Sequence, residues 1–280
     1  VYYTIIAVVD PHVPINSGCY RPITIEAEEG LIVNPRPPAA VAARTNCSQK
    51  ITEAMLKALS EAAPDRVMAG SHAQITTCSF SGYQNGRRWI YIEIMGGGMG
   101  ARPFKDGKDG QDSHLARFMN TPIEAIEIEY PVMIERYEFI PDSGGAGKYR
   151  GALGLRRDIR FLTDEVVFAR YGDSQKFPPH GLFGGKPGMP GRFILNPDKD
   201  NIRLKSKGID VLKKGDVVSL QLPGGGGYGN PLERDFSLIE KDVRDGKVTI
   251  EKAKEDYKVV IDPKTLKVDV EATKKLRGEI

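Results

Sequence analysis

Glycine is the feature of this sequence that most restricts its fold. The chain contains 31 glycines and 19 prolines in 280 residues, together about 18% of the chain against a usual share of about 12%. The glycines are clustered rather than periodic, at 96–100, 106–110, 144–147, 184–185 and 224–229. Glycine allows positive φ angles and close approach of two backbones. These clusters therefore predict either tight turns between strands or loops whose amide groups face a ligand or a partner chain.

Charge and hydropathy exclude several classes of protein. Forty Lys and Arg residues stand against 37 Asp and Glu residues, a net charge of +3 with no basic run, so nothing predicts a nucleic-acid partner. No apolar stretch approaches the roughly 18 residues of a spanning helix, and no membrane partner is predicted. Three cysteines without CxxC spacing argue against a disulfide scaffold and favour a reducing, cytoplasmic location.

The pattern along the chain divides it into three parts. Residues 1–74 form an extended, proline-rich segment followed by a helix, residues 75–230 a glycine-rich β body, and residues 231–280 a charged helical tail. Short strands separated by Gly and Pro favour a sandwich or a barrel-like body. The predicted fold class is therefore α+β, with one amphipathic helix early in the chain and a small helical tail.

The helices are predicted from capping residues and apolar spacing. Ser48 is predicted to cap the early helix, which ends before Pro64. Its predicted core face consists of Ile51, Ala54, Met55, Ala58, Leu59 and Ala62. In the tail, the run from Ser237 to Glu240 has the spacing of a capping box, and further helices are predicted near 250–257 and 270–278.

The opening residues 1–9 are strongly apolar and indicate a strand or a short core helix. They begin without Met and inside a hydrophobic element, which predicts that the chain is a piece of something longer. Strands are predicted from β-branched, aromatic or alternating runs, at 89–94, 123–129, 132–140, 155–162, 165–171 and 216–222.

Two glycine- and acid-rich motifs are excluded as ligand sites by their context. Gly96-x-Gly98-x-x-Ala101 superficially matches a dinucleotide fingerprint, but the following segment 102–107 contains Pro103 and Gly107 and cannot open the required helix. Asp106, Asp109 and Asp112 are spaced by three. A calcium loop of the EF-hand type needs a different spacing, so a solvated turn is favoured.

The four histidines have no partner at a spacing typical of metal ligands. His114, beside the Asp-Gly segment, is the most plausible functional histidine, although a structural or surface role is favoured over it. No nucleophile elbow and no Walker A motif is present. Taken alone, the chain does not look like a complete enzyme.

An ordered set of motifs nevertheless resembles a known family. The motifs are Asn34-Pro35 with Ala39-Ala40-Val41, Ala63-Pro64-Asp65-Arg66-Val67, Tyr91-x-Glu93, Gly97-Gly98-x-Gly100-Ala101-Arg102, Asp106-Gly107, Asn120-Thr121-Pro122-x-Glu124, Tyr137-Glu138, Asp142-Ser143-Gly144-Gly145-Ala146-Gly147, Pro178-Pro179-His180-Gly181, the glycine run after Pro223, and Asp242-Val243-Arg244-Asp245-Gly246. Together they resemble the hydantoinase B/5-oxoprolinase family, which also includes the α-type subunits of acetone and acetophenone carboxylases.

The resemblance implies a larger assembly. It covers only the C-terminal half of the family's subunit; the upstream half of the same subunit would carry a divalent metal, Zn or Mn, and no metal ligand is transferred to this chain. A second, hydantoinase A-type subunit would bind ATP with Mg. Phosphorylation of a cyclic amide or of a ketone enolate would make it reactive, and metal or backbone amides would stabilise the developing oxyanion.

The same resemblance indicates which residues line a substrate or inter-subunit cleft. The glycine loops at 96–100 and 144–147 are candidate sources of amide donors. The predicted cleft-lining residues are Glu93, Gly97, Gly98, Gly100, Arg102, Asp106, Asn120, Asp142, Gly144 and Gly145. No catalytic residue is assigned, and for each single residue a capped turn that fixes strand register is the alternative.

Two functions of different class remain open at this point. The first is part of the substrate-binding subunit of an ATP-dependent amidohydrolase of the 5-oxoprolinase or hydantoinase type, with a carboxylase as its close variant. The second is a non-catalytic assembly chain. The chain alone is expected to hydrolyse no lactam.

Overall fold

The computed structural model describes residues 1–116 and 118–278. In chain order the strands are Thr76–Gln84 (β1), Arg87–Met95 (β2), Val132–Phe139 (β3), Leu155–Phe161 (β4), Val166–Tyr171 (β5), Arg192–Leu195 (β6), Ile202–Leu204 (β7), Lys207–Leu212 (β8) and Val217–Gln221 (β9). The helices are Tyr2–Val9 (α1), Ser17–Tyr20 (α2), Arg44–Leu59 (α3), Ile123–Glu129 (α4), Phe236–Arg244 (α5), Ile250–Tyr257 (α6) and Val270–Arg277 (α7), with a 3₁₀ turn at Pro231–Glu233.

Two antiparallel sheets form the sandwich that the sequence predicts. One has the strand order β2-β1-β5-β8 and the other β3-β4-β9-β6-β7, and within the described residues neither closes into a barrel. Their facing sides share one apolar core, in which the ring of Phe80 lies 4.7 Å from Phe168 and 5.0 Å from Phe161 of the opposite sheet. Aromatic pairs at this spacing add to the free energy gained by burying their area.

The predicted strand at 123–129 is wrong, because this segment is helix α4. Pro122 precedes the helix with a φ of −54°, which already suits a helix start, and Glu124 lies in the first turn, where the helix dipole favours an acid. The alternation of apolar and acidic residues extends over only seven positions. In the helix it buries a single side chain, Ile126, while Ile128 remains exposed.

Two predicted helix starts also need correction. Helix α3 begins at Arg44 without a side-chain cap, and the Ser48 hydroxyl instead donates to the Arg44 carbonyl inside the helix. Helix α5 is capped by Asp235, whose carboxylate accepts from the Ser237 amide. The predictions for 250–257 and 270–278 are confirmed by α6 and α7, and the apolar opening residues form helix α1. Residues 279–280 of the predicted tail lie outside the described residues.

The glycine clusters form a bundle of extended segments with 223–229 at its centre. Every third amide along this segment donates to the same neighbouring region. The amides of residues 224 and 227 donate to the carbonyls of 189 and 186, respectively. The amides of 225 and 228 donate to the carbonyls of 152 and 149, and the amides of 226 and 229 to those of 70 and 182. A repeat of three residues is that of the polyproline II helix. We call the set of segments 69–72, 97–101, 143–152, 180–189 and 223–229 the glycine bundle.

Close packing, rather than positive φ, makes glycine necessary in this bundle. A Cβ built on Gly226 would lie 1.9 Å from the His180 carbonyl oxygen, and one built on Gly100 would lie 1.8 Å from that of Ala69. Neither glycine has a positive φ. Because the obstructing atoms belong to other backbones, no side-chain rotation relieves the overlap. The core of the bundle is therefore made of backbone instead of side chains.

Replacement of Gly226 by Ala is expected to abolish stable folding or to lower the unfolding free energy by more than about 4 kcal/mol, since two backbones must separate. Gly246→Ala is the control. Gly246 has a φ of +69° but open space around the new Cβ, so its cost is limited to about 1–2 kcal/mol of backbone strain. Urea unfolding followed by circular dichroism measures both values. Equal losses in the two variants would contradict the packing argument.

Candidate functional site in a cleft beside the glycine bundle

A cleft opens where α1 approaches the segments 66–68 and 99–116. It has one chamber of about 440 Å³ and a second of about 160 Å³, and Tyr3, Met68, Arg102 and His114 line both. The larger chamber is completed by Met99, Lys108, Gln111, Asp112, Leu115 and Ala116, and the smaller one by Thr4, Ala7, Val8, Thr52, Leu56, Arg66, Val67, Pro103 and Phe104. The cleft thus joins a space of mixed polar and apolar lining to a mainly apolar one.

Arg102 is the predicted site residue that lies in this cleft. Within the described part of the chain its guanidinium has no hydrogen bond or ion pair, and its Nε is shielded from solvent. Burial lowers the pKa of Arg102 below the ordinary value. Because Arg102 is partly desolvated and has no partner in the described residues, an anion in the cleft would be favourable beside it.

Glu53 of α3 holds a histidine at the boundary of the two chambers. Its Oε1 lies 2.7 Å from Nε2 of His114 and also accepts from the Ser71 amide at 2.8 Å. The His114 side chain is only 3% exposed, and its backbone has a φ of +53°, which is uncommon for a residue other than Gly. Strained backbone of this kind is retained where surrounding contacts hold it, often at functional sites.

Two more histidines each lie beside a carboxylate, His180 beside Glu53 and His72 beside Asp112. Nδ1 of His180 is 3.9 Å from Oε2 of Glu53, and burial lowers the pKa of His180 below its ordinary value of 6.5, against the opposing charge of Glu53. The fully buried His72 places Nε2 3.3 Å from Oδ1 of Asp112, whose side chain is 4% exposed. Three of the four histidines are therefore gathered near α3, although they are far apart in sequence.

The most buried positions of α3 are mainly polar, and the predicted apolar face is confirmed only in part, by Leu59, which packs against the apolar cluster that contains Leu56. Asn46, Gln49, Thr52 and Leu56 are buried, whereas Ala54, Ala58 and Ala62 are exposed. Asn46 accepts from the Ile75 amide at 2.5 Å, and Gln49 donates to the Ser113 carbonyl at 2.7 Å. This face of the helix packs on backbone amides and carbonyls of neighbouring segments, and side chains that form hydrogen bonds are required there to pair with them.

The predicted glycines all lie in the bundle, and the amides of three of them are donated within it. The Gly98 amide donates to the Pro223 carbonyl, that of Gly100 to the Ser71 hydroxyl and that of Gly145 to the Gly225 carbonyl. A Cβ on Gly97 would lie 2.9 Å from His72, and one on Gly144 would lie 2.1 Å from the Gly151 carbonyl oxygen.

Asp106 and Asp142 connect the bundle to the helical tail. Asp106 accepts two hydrogen bonds of 2.8 Å from Arg234, and Asp142 accepts from the Thr249 amide at 2.8 Å. Arg234 also donates to Asp242 at 2.6 Å and is 1% exposed. Burial alone raises the pKa of Asp106, but the hydrogen bonds and charge of Arg234 outweigh it, so the net pKa is lowered.

Glu93 and Asn120 lie apart from the cleft residues. Glu93 of β2 is buried, where it accepts from the Tyr91 hydroxyl and pairs with Arg157 of the opposite sheet. Asn120 is exposed and donates to the Tyr137 hydroxyl. The structure thus places one predicted site residue, Arg102, in the cleft and distributes the others among bundle, tail and sandwich. Their cleft-lining role remains a prediction.

Sequence reasoning missed Glu53, His72 and Asp112 as members of the site. A signal was present in α3, because Asn46, Gln49 and Glu53 recur at helical spacing beside the apolar residues. That this face is buried follows only from the contact of the helix with the backbone of residues 71–75 and 113, which the sequence does not reveal.

Neither a metal-binding cluster nor a membrane span is found in the described residues. Within 1–116 and 118–278, no group of three or more His, Cys, Asp or Glu side chains is arranged to hold a metal ion. The part of the chain that the structure covers contains no helix long and apolar enough to span a bilayer.

Comparison with known proteins establishes the family. Residues 1–231 match the family described as Hydantoinase B/oxoprolinase. An uncharacterized protein of Methanocaldococcus jannaschii is 44% identical over 275 residues, covering 97% of this chain and 48% of that protein. A putative D-/L-hydantoinase B-type subunit of Pseudomonas sp. strain NS671 is 38% identical, covering 94% and 45%. The chain belongs to the hydantoinase B/oxoprolinase family.

Solved structures share the fold. The ATP-dependent caprolactamase of Pseudomonas jessenii superposes with a TM-score of 0.85 at 27% identity, over 99% of this chain and 50% of that one. An acetone carboxylase superposes with a TM-score of 0.82 at 19% identity, over 99% and 43%, a likeness of fold. The chain spans about half the length of the curated relatives it matches.

Replacement of Arg234 by Met is expected to lower the unfolding free energy by about 3 kcal/mol, because Asp106 and the buried Asp242 lose one of their two arginine partners and keep only Arg150. Lys241→Met is the control. It breaks the exposed pair with Asp245, for which the expected loss is below about 1 kcal/mol. Chemical denaturation measures both, and a loss for Arg234→Met as small as that of the control would contradict the role of the pair.

His180 is expected to make the fold less stable in mild acid. Its pKa is lower in the folded chain than in the unfolded one, so the unfolded state binds more protons as the pH falls through about 6.5, and stability present above that pH is lost below it. His180→Gln should reduce the difference between the urea midpoints at about pH 7.5 and about pH 5.5. His12→Gln, at an exposed position, should leave it unchanged. An unaltered pH dependence in His180→Gln would contradict this assignment.

Proposed function

We propose that this chain is the C-terminal part of the substrate-binding subunit of an ATP-dependent cyclic amidohydrolase of the hydantoinase/5-oxoprolinase type. The observation that carries the proposal is the combination of family membership over residues 1–231 with the fold of an ATP-dependent caprolactamase at a TM-score of 0.85. Two relatives are named as the B-type subunit of a hydantoinase and the beta subunit of a caprolactamase, and both names describe hydrolysis of a cyclic amide. We place the complete enzyme in the cytoplasm.

The chemistry requires activation of a poor electrophile. ATP, bound with Mg by a hydantoinase A-type partner, transfers its terminal phosphoryl group to the amide oxygen and leaves as ADP. One water adds to the activated carbon and the C–N bond breaks with a proton going to nitrogen, which leaves an acyl phosphate. A second water hydrolyses this acyl phosphate to the carboxylate and inorganic phosphate. The upstream half of the subunit supplies the divalent metal, Zn or Mn. This chain contributes a rigid wall beside the reacting ring, with Arg102 and His114 as the polar groups that face a ligand.

An exposed apolar surface supports a larger assembly. On the outer face of the first sheet, the cross-strand pair Val167 and Val211 is exposed at 39% and 66%, and Ile209 of the same strand pair at 71%. Ile92, exposed at 58%, lies on the far side of β1, with Ser79 between it and β5. Exposed apolar side chains grouped in this way are typical of an interface. We assign this face to contact with the rest of the same subunit, since the chain spans about half the length of its relatives.

A carboxylase of the acetone or acetophenone type is the second candidate. The shared fold of acetone carboxylase favours it to the extent that fold alone can. The two functions differ in their co-substrate, because a carboxylase consumes bicarbonate with a ketone, whereas an amidohydrolase consumes water with a lactam.

The test is turnover by the complete subunit assembled with its ATP-binding partner. The assembly is incubated with ATP and, separately, 5-oxoproline, hydantoin, caprolactam, or acetone with bicarbonate, and ADP and organic products are measured by mass spectrometry. We expect one cyclic amide to be opened without bicarbonate. ADP formation restricted to acetone with bicarbonate would replace the proposal by the carboxylase, and no ATP-dependent product would favour the assembly chain.

The 280-residue chain alone is expected to open no ring, because the ATP and metal sites of the proposal lie outside it. The control in the same assay is the complete assembly at equal concentration. Ring opening by the isolated chain at a rate comparable to the assembly would overturn this division of roles.

A further inference from the structure

We propose that the cleft beside the glycine bundle binds a small ligand that joins an anionic group to an apolar ring, and that Arg102 and Lys108 receive the anion. The location of the site and the residues that hold the anion follow from the cleft itself. The identification of the ligand as a carboxylated cyclic amide rests on the proposed function.

The larger chamber contains two cations available to a ligand. Neither Arg102 nor Lys108 has a hydrogen bond or ion pair within the described part of the chain. The acid that faces them, Asp112, already has the His72 imidazole at 3.3 Å and accepts from the Ser113 amide at 2.9 Å. The other oxygen of Asp112, Oδ2, is buried without a hydrogen-bond partner in the described part of the chain. The lining therefore holds two cations against one acid, and this excess of positive charge favours an added anion.

Arg102 is held in place by backbone on both sides. The Ala101 amide donates to the Gly226 carbonyl, and the Arg102 amide donates to the Lys105 carbonyl at 2.9 Å. The Gly107 amide donates to the Arg150 carbonyl and fixes the end of this loop. A guanidinium on such a loop can present two parallel N–H groups to a carboxylate or phosphate, which an ammonium cannot do.

His114 adds a hydrogen-bonding group at the junction of the two chambers. Because Glu53 occupies its Nε2, the ring nitrogen available to a ligand is Nδ1. A carboxylate partner favours the proton on Nε2, which leaves Nδ1 as an acceptor for a ligand N–H while the imidazole is neutral. The position between an anion site and an apolar chamber fits a ring N–H next to an acidic substituent.

The smaller chamber fits the ring. Its volume is about 160 Å³, and an apolar cavity of about 150 Å³ accommodates benzene. Val8, Leu56, Val67 and Phe104 line it. Ring methylene groups would lie against these side chains, while the charged substituent points toward Arg102. Within the proposed function, the cleft therefore selects 5-oxoproline over the neutral lactam 2-pyrrolidinone.

The test is equilibrium binding to the assembled enzyme without ATP, measured by isothermal titration calorimetry with 5-oxoproline, 2-pyrrolidinone and inorganic phosphate as probes. We expect 5-oxoproline to bind at least about tenfold more tightly than 2-pyrrolidinone, and Arg102→Gln to remove most of that difference. Equal binding of the two lactams, or unchanged 5-oxoproline binding in Arg102→Gln, would overturn the site.

Further variants protect the result against a folding defect. Lys108→Gln alters an exposed side chain and should weaken 5-oxoproline binding by about threefold or more without changing the melting temperature. Arg102→Lys keeps the charge without the fork and should bind with intermediate affinity. Arg244→Gln removes an exposed charge from the tail and should bind as the unaltered protein does. Weakening in Arg244→Gln equal to that in Lys108→Gln would show a general charge effect and overturn the site.

The phosphate probe separates the two possible sources of the anion. Competition by inorganic phosphate at least about tenfold weaker than that of 5-oxoproline supports the carboxylate, since only the lactam also fills the apolar chamber. Tighter binding of phosphate overturns the carboxylate assignment. If the assembly opens no ring yet binds 5-oxoproline through Arg102, the proposed function fails and the site stands. If it opens rings with the same KM in Arg102→Gln, the site fails and the function stands.

Discussion

Hydrogen bonding between glycine backbones in the segment 223–229 and its neighbours is the interaction on which the rest of this structure depends. In most domains a core of interlocking side chains fixes the positions of the surrounding elements. Here such a core exists between the two sheets, but a second core is made of backbone. The near contacts around Gly225 and Gly226, about 2 Å from a neighbouring carbonyl for a hypothetical Cβ, leave no space for any side chain. The buried amides and carbonyls of this second core must therefore form hydrogen bonds mainly with one another.

A core of backbone changes what packs on it. An apolar helix would leave amides and carbonyls at the rim of the bundle without partners, at a cost of about 1–3 kcal/mol for each buried group. Helix α3 instead presents Asn46, Gln49 and Glu53 to these groups. The carboxylate of Glu53 has a second oxygen and further lone pairs after it accepts from the backbone, and these attract His114 and His180. The histidine cluster is thus a consequence of how the helix is accommodated.

The sandwich was predictable from the sequence in part, because the signals of β2, β3, β4, β5 and β9 are local, whereas β1, β6, β7 and β8 lie in no predicted run. Runs such as 155–162 and 165–171 alternate between the core and the outside, and the structure confirms them as β4 and β5. The bundle was recognisable only as glycine clusters, since its backbone contacts mostly join segments that are far apart in the sequence, such as Gly70 and Gly226. The same distance hid Glu53, whose face of α3 is buried only because 71–75 and 113–115 meet there. Arg102 and His114 were singled out beforehand, but nothing local showed that one cleft contains both.

The segment 98–116 connects the glycine bundle, the cleft and the helical tail. Gly98 and Gly100 belong to the bundle, Arg102 and His114 to the cleft, and Asp106 to the ion pairs that hold the tail. Because both ends of the Arg102 loop are bonded to the bundle, the backbone that carries Arg102 is ordered before any ligand arrives, which lowers the entropic cost of binding. The tail, through Arg234 and Asp106, stabilises the same loop from the other side. A substitution in the tail can therefore alter the cleft although no described residue of the tail lines it, because Arg234 of the tail binds Asp106 of the loop. The loop that carries Arg102 into the cleft is itself held by backbone hydrogen bonds to the bundle.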